Sequence, residues 1–303
     1  MARRHQDFTR HKKTSSPKLE ATLVKQHALI LADIEGIIGV HLKEQCTPGS
    51  QEWKKSRPLI TADINAAIEG ALRAGCTQVT VIDMHGTGFN LLPEELLPQA
   101  TLIQGHKAYP IPLIGKMPKA HKALFIGWHA ARDQQGFSPH IFHKKLERLS
   151  FDQEPVTEVE LFSAVLGEHG IPVVFVSGED VATQRIEQNM PWIKTFEVPK
   201  RPLDKKEGKK LREALTTEIE KTISNDKKAP LFPWGKERIA TLVADGREQS
   251  FQSPSATQIF AWALKHSALD IKPWWLLGPA LFLLRTRCRF QERLRLVRQK
   301  KSA

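Results

Sequence analysis

Short apolar runs alternate with amphipathic stretches through the first 180 residues of the chain. Four of the runs have the length and composition of buried strands: 27–36, 78–86, 123–130 and 171–180. The stretches 59–75 and 157–170 have helical spacing, and each ends at a glycine. Because this alternation is typical of βαβ units, we predict an α/β fold with a mostly parallel, doubly wound sheet and helices on both faces.

The remainder of the chain predicts a smaller second region. Residues 201–228 begin as a charged linker and continue as an amphipathic helix, followed by a strand at 237–244 and a helix at 255–268. We therefore expect a smaller α+β domain after the main one. The predicted division is a basic N-terminal tail, a large α/β domain, the smaller domain and an apolar then basic C-terminal tail: 1–26, 27–200, 201–272 and 273–303.

The net charge of +12 belongs to the two ends of the chain. Residues 1–26 carry seven Lys/Arg and two acids, and residues 285–303 carry eight and one, so the ends hold +5 and +7. The 258 residues between them hold thirty charges of each sign. The central part is therefore not a basic platform for nucleic acid, and we expect no nucleic-acid partner.

The cysteines and the two ends of the chain indicate where in the cell the protein is expected. Three cysteines without metal-like spacing indicate no disulfide framework, and the basic N-terminus lacks the apolar core of a secretory signal, so we expect a cytoplasmic protein. The apolar segment 273–284 is too short to cross a bilayer as a helix. Trp274 and Trp275, with the basic run after them, fit an anchor on an anionic membrane surface. The alternative is a terminal segment packed on the domain.

Acidic and imidazole side chains cluster at the ends of the predicted strands. Asp33 and Glu35 would project to the same face of the first strand, where two adjacent anions require a cation, a metal or shared protons. The second strand ends with Asp83 and His85, and the third ends with His129. Because the carboxyl ends of parallel strands line one crevice, we expect these side chains to converge there.

This donor set is suited to a metal centre. Glu158, in the first turn of the next helix, adds a carboxylate. Carboxylates with two imidazoles suit a divalent ion of zinc type, and the surplus of anions suits two bridged ions better than one. Each residue also has an ordinary interpretation, as a solvated strand end, a hydrogen-bonded loop histidine or a partner of the helix dipole. We interpret Asp83 as a residue that orients a ligating histidine.

Five motifs resemble those of the zinc-dependent D-aminopeptidase family, which is associated with dipeptide-transport operons. In chain order they are ADIEGIIG (32–39), DMHGTGFNL (83–91), FIGWHA (125–130), GFSPH (136–140) and PVTEV (155–159). The spacing is similar to that of the family as well, with eleven residues from His129 to His140 and eighteen from His140 to Glu158. The resemblance covers residues 27–200 well and residues 201–268 loosely.

The resemblance implies a site with two zinc ions in the 27–200 domain, with Asp33 as the bridging ligand. The implied ligands are Asp33, Glu35, His85, His129 and Glu158. It also implies that His140 is the catalytic histidine, described in that family as a nucleophile, whereas chemistry alone favours an acid/base role beside activated water. Asn90 fits a family position that would bind the substrate's polar groups, or it serves turn chemistry after Gly88.

The function implied is that of a di-zinc metallo-aminopeptidase that hydrolyses the N-terminal amide bond of short peptides, prefers D-residues and forms homo-oligomers. The alternative is a non-catalytic metal-binding or scaffolding protein of the same fold, attached to a membrane surface by its C-terminal tail. The presence of all five implied ligands argues against this alternative. The chain departs from the family in a shorter segment after 237–244 and in Pro139, where a small hydroxyl residue is typical.

Overall fold

The computed structural model describes residues 26–143, 145–225 and 227–267, together with the single positions 283 and 286. The strands in these ranges are β1 (Gln26–Ala32), β2 (Cys76–Asp83), β3 (Ala100–Ile103), β4 (Lys122–Trp128), β5 (Leu146–Phe151), β6 (Glu154–Pro155), β7 (Val173–Gly178), β8 (Lys194–Glu197), β9 (Arg238–Ala244) and β10 (Arg247–Ser253). The helices are α1 (Gln51–Arg73), α2 (Glu158–Glu168), α3 (Asp180–Asn189), α4 (Lys205–Ser224) and α5 (Ala256–His266).

The larger sheet has six parallel strands in the order β3-β2-β1-β4-β7-β8. The chain runs outward from β1 toward β3, and then returns to the other side of β1 with β4. This reversal of strand order opens a crevice at the carboxyl ends of β1 and β4, which is where open parallel sheets bind ligands. The predicted α/β fold with a mostly parallel sheet is confirmed.

Side chains of β1 alternate between two hydrophobic cores. Leu29 and Leu31 belong to the core that contains α2, α5 and the second sheet, whereas Ala28 and Ile30 belong to the core that contains α1 and α4. All four side chains are fully buried. Because successive strand residues point to opposite faces, the sheet is covered on both sides, as expected for a doubly wound arrangement.

Helix α1 begins eight residues before the predicted start at residue 59. The Ser50 hydroxyl caps it by accepting a hydrogen bond from Trp53 N at 2.9 Å. Pro58 lies inside the helix, although a proline removes one backbone hydrogen bond there. The side chain of Arg57, next to this proline, donates to Asn90 O and Leu91 O at 3.0 Å each, so this part of the helix is held by contacts outside the helix that the sequence pattern does not reveal.

The smaller sheet is antiparallel, in the order β10-β9-β5-β6. Two of its strands, β5 and β6, come from the range 27–200, while α4 from the range 201–272 packs on α1 beside the larger sheet. Membership of the sheets therefore does not follow the division at residue 200, and that division stays a prediction. The sequence analysis also missed six elements: β3, β5, β6, β8, β10 and α3.

The predicted tails lie outside the described residues, apart from Gln26 and the isolated positions 283 and 286. Within the ranges that the structure describes, no helix combines the length and the apolar character needed to span a bilayer.

Candidate metal centre

The predicted donor residues meet at the carboxyl ends of β1, β2 and β4. Backbone hydrogen bonds hold the ends of β1 and β4 together. Asp33 N donates to Ile126 O at 2.9 Å, and Gly36 N donates to Gly127 O at 2.7 Å. Gly127 has a φ of +86°, and a Cβ at this position would collide with Asp33 O. A glycine is therefore required where the loop that carries the acids crosses β4.

Two carboxylates lie side by side at the centre of the cluster. Asp33 and Glu35 are 4% and 3% exposed, so neither charge is stabilised by bulk water. His85 Nδ1 lies 3.1 Å from Asp33 Oδ1 and 3.0 Å from Glu35 Oε2. His129 Nε2 lies 3.4 Å from Asp33 Oδ2. The two oxygens of Asp33 thus face two different imidazoles.

The pKa values show how the protein alone accommodates these charges. Burial, and then the charge of Glu35, raises the pKa of Asp33 to about 7. Burial also opposes ionisation of Glu35, but the adjacent His85 holds the pKa of that carboxyl well below its usual range. Burial opposes the charge of His129 too, yet Asp33 raises the pKa of this imidazole to about 9. The cluster therefore retains protons that a divalent cation would displace on binding.

Each imidazole has one nitrogen committed to a backbone carbonyl. Nδ1 of His129 lies 2.8 Å from the carbonyl oxygen of the next residue, Nδ1 of His140 lies 2.8 Å from that of Ser138, and Nε2 of His85 lies 2.7 Å from that of Cys46. Because a carbonyl oxygen only accepts, these nitrogens carry the hydrogen. The nitrogens of His85 and His129 that face the carboxylates are then available to a metal, as in most metal-ligating histidines.

His140 and Glu158 extend the cluster on the side of His129. The rings of His129 and His140 stack with their centroids 4.1 Å apart and their planes 6° from parallel. Glu158 stands at the start of α2, which Thr157 caps by accepting from Glu160 N at 3.1 Å. Oε1 of Glu158 accepts a hydrogen bond from the backbone N–H of Phe142. This contact ties the carboxylate to the loop that presents His140.

Two groups of donor atoms are close enough to share an ion. One group is Asp33, Glu35 and His129, and the other is His129, His140 and Glu158; within each group the donor atoms lie within 4.8 Å of one another. His140, predicted as a catalytic residue, is thus also near enough to act as a ligand. Glu35 Oε2 is buried, and although His85 Nδ1 lies 3.0 Å away, no donor among the described residues is directed at this oxygen with hydrogen-bond geometry. A buried acceptor of this kind among imidazoles and carboxylates fits a zinc-type cation.

Asp83 and Asn90 support the loop that carries His85. Asp83, 1% exposed, accepts from Asn90 N at 2.6 Å, Asn90 Nδ2 at 2.7 Å and Leu91 N at 3.0 Å. Asn90 is fully buried; its Nδ2 also donates to His85 O at 2.7 Å, and its Oδ1 accepts from Trp53 Nε1 at 2.9 Å. This geometry suits the turn-forming alternative, and contact between Asn90 and a substrate stays a prediction.

The sequence analysis did not single out two charged residues next to the cluster. Glu179 follows β7 directly and is 1% exposed, and Lys200 lies three residues after β8. Glu179 carries the same signal as Asp33 and His129, a polar residue at the carboxyl end of a predicted strand. Lys200 carries no such signal, because it belongs to a stretch rich in lysine and arginine.

Buried nitrogen and oxygen donors in the crevice of a parallel sheet are a set that could hold a zinc-type ion. The sequence profile of peptidase family M55, described as D-aminopeptidase, matches residues 27–250. The chain belongs to this family, which confirms the resemblance found in the sequence and identifies the protein as an aminopeptidase-type hydrolase.

Two relatives extend this assignment. The chain is 31% identical over 208 residues to the D-aminopeptidase of Bacillus subtilis (strain 168), a match that covers 66% of this chain and 75% of the relative. The fold of this chain is similar to that of a solved structure described as the Zn-dependent D-aminopeptidase DppA from Bacillus subtilis, a self-compartmentalizing protease. The TM-score is 0.73 with 23% identity, covering 82% of this chain and 99% of that one. At this identity the structural likeness shows the fold.

Proposed function

We propose that the protein is a zinc-dependent aminopeptidase that removes N-terminal residues from short peptides, with a preference for D-residues. The observation that carries this proposal is the buried cluster of carboxylates and imidazoles at the crevice of the larger sheet. Family membership supports the reaction class, and the description of the family and of its curated relative supports the preference for D-residues. A non-catalytic scaffolding role is not favoured, because every predicted donor lies in the cluster.

We propose two ions per chain, and the geometry of Asp33 supports this number. Its Oδ1 faces His85 and its Oδ2 faces His129, so it can bridge two ions. We propose that Glu35 and His85 complete one position and that His129 and Glu158 complete the other. Zinc, when bound, polarises a peptide carbonyl and lowers the pKa of water. The protein contributes by excluding bulk water from the donor side chains and by fixing their positions beside the scissile bond.

His140 is the residue we assign to proton transfer. Its Nδ1–H donates to Ser138 O, which leaves Nε2 of the neutral imidazole as a proton acceptor. The stacked contact with His129 holds the ring beside the donor cluster. In this position His140 can take a proton from the attacking water and pass it to the amine that leaves the broken amide bond.

The assembly of the protein and its location are further parts of the proposal. The solved neighbour is described as self-compartmentalizing, and we propose that this chain also forms a homo-oligomer. Light scattering of the purified protein should then give a mass that is a multiple of 34.3 kDa. A monomer at micromolar concentration would contradict this part. Location in the cytoplasm and attachment to an anionic membrane surface stay predictions.

Metal analysis combined with peptide hydrolysis tests the main proposal. We expect about two zinc ions per chain in the purified protein, as in two-metal hydrolases. A chelator should abolish hydrolysis of D-aminoacyl substrates, and added zinc should restore it. Asp33→Ala should lose most of the metal, whereas Asp133→Ala, outside the donor cluster, should keep it. Full activity in a metal-free preparation would overturn the proposal.

A further inference from the structure

Two loops carry most of the residues of the proposed metal centre, and two charged residues outside these loops connect them. The acid loop, residues 33–40, contains Asp33 and Glu35; the histidine loop, residues 129–140, contains His129 and His140. Lys200 and Glu179, which are not among the donors described above, contact the backbones of these loops from the ends of neighbouring strands. Their contacts therefore bear on how the two loops are oriented toward each other.

The ammonium group of Lys200 contacts three backbone carbonyls of the acid loop. Its Nζ lies 2.8 Å from Glu35 O, 3.2 Å from Ile37 O and 3.2 Å from Val40 O. An ammonium group has three hydrogens, so one hydrogen is available for each carbonyl. Ile37 O also accepts from Val40 N at 3.1 Å, so the lysine reinforces a turn that the backbone itself closes and keeps the loop curled around its side chain.

Glu179 is bound to the histidine loop in a matching way. Its Oε1 accepts from Ala130 N at 2.7 Å, and its Oε2 accepts from Phe137 N. These two backbone groups lie next to His129 and three residues before His140. A Cβ at Gly136 would lie 2.6 Å from Glu179 Oε1 and 2.5 Å from the Cβ of Ala130, so the loop backbone is pressed against the carboxylate.

Phe137 connects the two charged residues. Its backbone N–H donates to Glu179, and its ring centroid lies 5.5 Å from Lys200 Nζ, within the range of a cation–π contact. The acid loop, Lys200, Phe137, Glu179 and the histidine loop thus form one continuous set of contacts. Gly36 N, which donates to Gly127 O at 2.7 Å, adds a direct backbone link between the acid loop and β4, the strand that leads into the histidine loop.

We propose that Lys200 and Glu179 are positioning residues that act as one clamp, holding the acid loop and the histidine loop at the separation that two shared metal ions require. The inference rests on the proposed function, because it concerns the same metal centre. Residues that orient metal ligands typically contribute about 10- to 100-fold to metal affinity or activity. A lysine or glutamate that served only the stability of the fold would not change the geometry of the bound metal.

The chain offers a matched control for the lysine. Lys122 also donates to backbone carbonyls, at 2.6 Å from Ile223 O and 3.0 Å from Asn225 O. It stands at the amino end of β4, on the edge of the sheet opposite the metal centre. Lys122→Met therefore removes a tie of the same kind without touching either loop.

The test compares full-length Lys200→Met, Glu179→Gln and Lys122→Met with the wild type. The readouts are the zinc dissociation constant by dye competition, the visible spectrum of the Co²⁺-substituted protein, kcat and KM, and thermal unfolding of the metal-free proteins. We expect zinc binding to weaken by about 10- to 100-fold in the two clamp variants, with altered Co²⁺ bands and a larger loss in kcat than change in KM. Lys122→Met should unfold earlier but keep the wild-type zinc affinity and spectrum.

Several outcomes would overturn the clamp. Wild-type zinc affinity and Co²⁺ bands in folded Lys200→Met or Glu179→Gln would do so, as would equal losses of metal in Lys122→Met. If Lys200→Met does not fold, Glu179→Gln decides, because its amide keeps one acceptor and loses only the other hydrogen bond. In the double variant, losses that simply multiply would show two independent supports rather than one clamp. A wild type without zinc or hydrolysis would instead refute the proposed function.

Discussion

His129 belongs to both groups of donor atoms, and its ring stacks on His140 at a centroid distance of 4.1 Å. Taken singly in the sequence, a histidine at a strand end has an ordinary interpretation as a hydrogen-bonded loop residue. Its surroundings favour the role of metal ligand that we propose for it. His129 is 4% exposed, its Nδ1 hydrogen is committed to the backbone, and its Nε2 is directed at a buried carboxylate. His140, which stacks on His129, is close enough to the donors to be either a ligand or the acid/base residue.

Replacement of His140 by alanine separates a catalytic role from a ligand role. We expect His140→Ala to keep most of its zinc and to lose about 10²- to 10⁴-fold in kcat, the usual range for an acid/base residue. His129→Ala should lose metal as well as activity, and His169→Ala, an exposed histidine at the end of α2, should resemble the wild type. Loss of zinc from His140→Ala to the same extent as from His129→Ala would make His140 a metal ligand.

At the scale of elements, helices α1 and α4 support the acid loop from one face of the larger sheet. Asp63 in α1 accepts from Arg212 Nε in α4 at 2.7 Å and from Ile38 N in the acid loop at 2.9 Å. The helices approach closely, since a Cβ at Gly70 would lie 2.6 Å from Thr216 O. The buried ion pair thus links two helices to the loop that supplies two of the proposed ligands.

Removal of the Asp63 carboxylate should be costly. Asp63 is 1% exposed, and Asp63→Ala leaves Arg212 Nε and Ile38 N without their acceptor, so we expect a loss of about 3–5 kcal/mol in the free energy of unfolding. Glu213→Ala removes an exposed α4 carboxylate that pairs with Lys209 at 3.8 Å, and should cost at most about 1 kcal/mol. Urea denaturation of the metal-free proteins measures both. Equal losses in the two variants would contradict the importance of the buried pair.

At the scale of the whole molecule, the charge and the fold occupy different parts of the chain. The family profile spans residues 27–250, whereas the excess positive charge lies before residue 27 and after residue 284. The donors of the metal centre all lie inside the matched range. The tails are therefore expected to be dispensable for zinc binding and for hydrolysis.

A truncated chain tests this expectation. Deletion of residues 1–25 and 285–303 should leave zinc content and peptide hydrolysis unchanged. The intact protein should bind anionic vesicles at low salt and release them at high salt, because polybasic attraction is screened over about 8 Å at physiological ionic strength. The truncated protein should not bind, and neutral vesicles serve as the control. Vesicle binding that survives truncation, or zinc loss on truncation, would show that the tails do not act as a separate anchor.

The sequence by itself determined the four central strands of the larger sheet, β2, β1, β4 and β7, and the place of the sheet's chemistry. Alternating apolar and amphipathic stretches are local properties, and parallel connections then oblige successive strands to end at one edge. Asp33, Glu35, His85 and His129 could be located for that reason, since each follows a strand that its own neighbours specify. The pattern also identified α4, and the five motifs identified the family.

Only the tertiary structure decided which distant segments meet. The pairing of β5 with β9 joins residues about ninety positions apart, and neither strand encodes its partner locally. Lys200 has the same neighbours in the sequence whether it is solvated or bound to three carbonyls of the acid loop, and Asn90 has the same neighbours whether it faces a substrate or is fully buried. Helix α1 continues through Pro58 because of contacts that lie outside the helix. Roles of this kind depend on burial and on partners brought by packing, and local sequence contains neither.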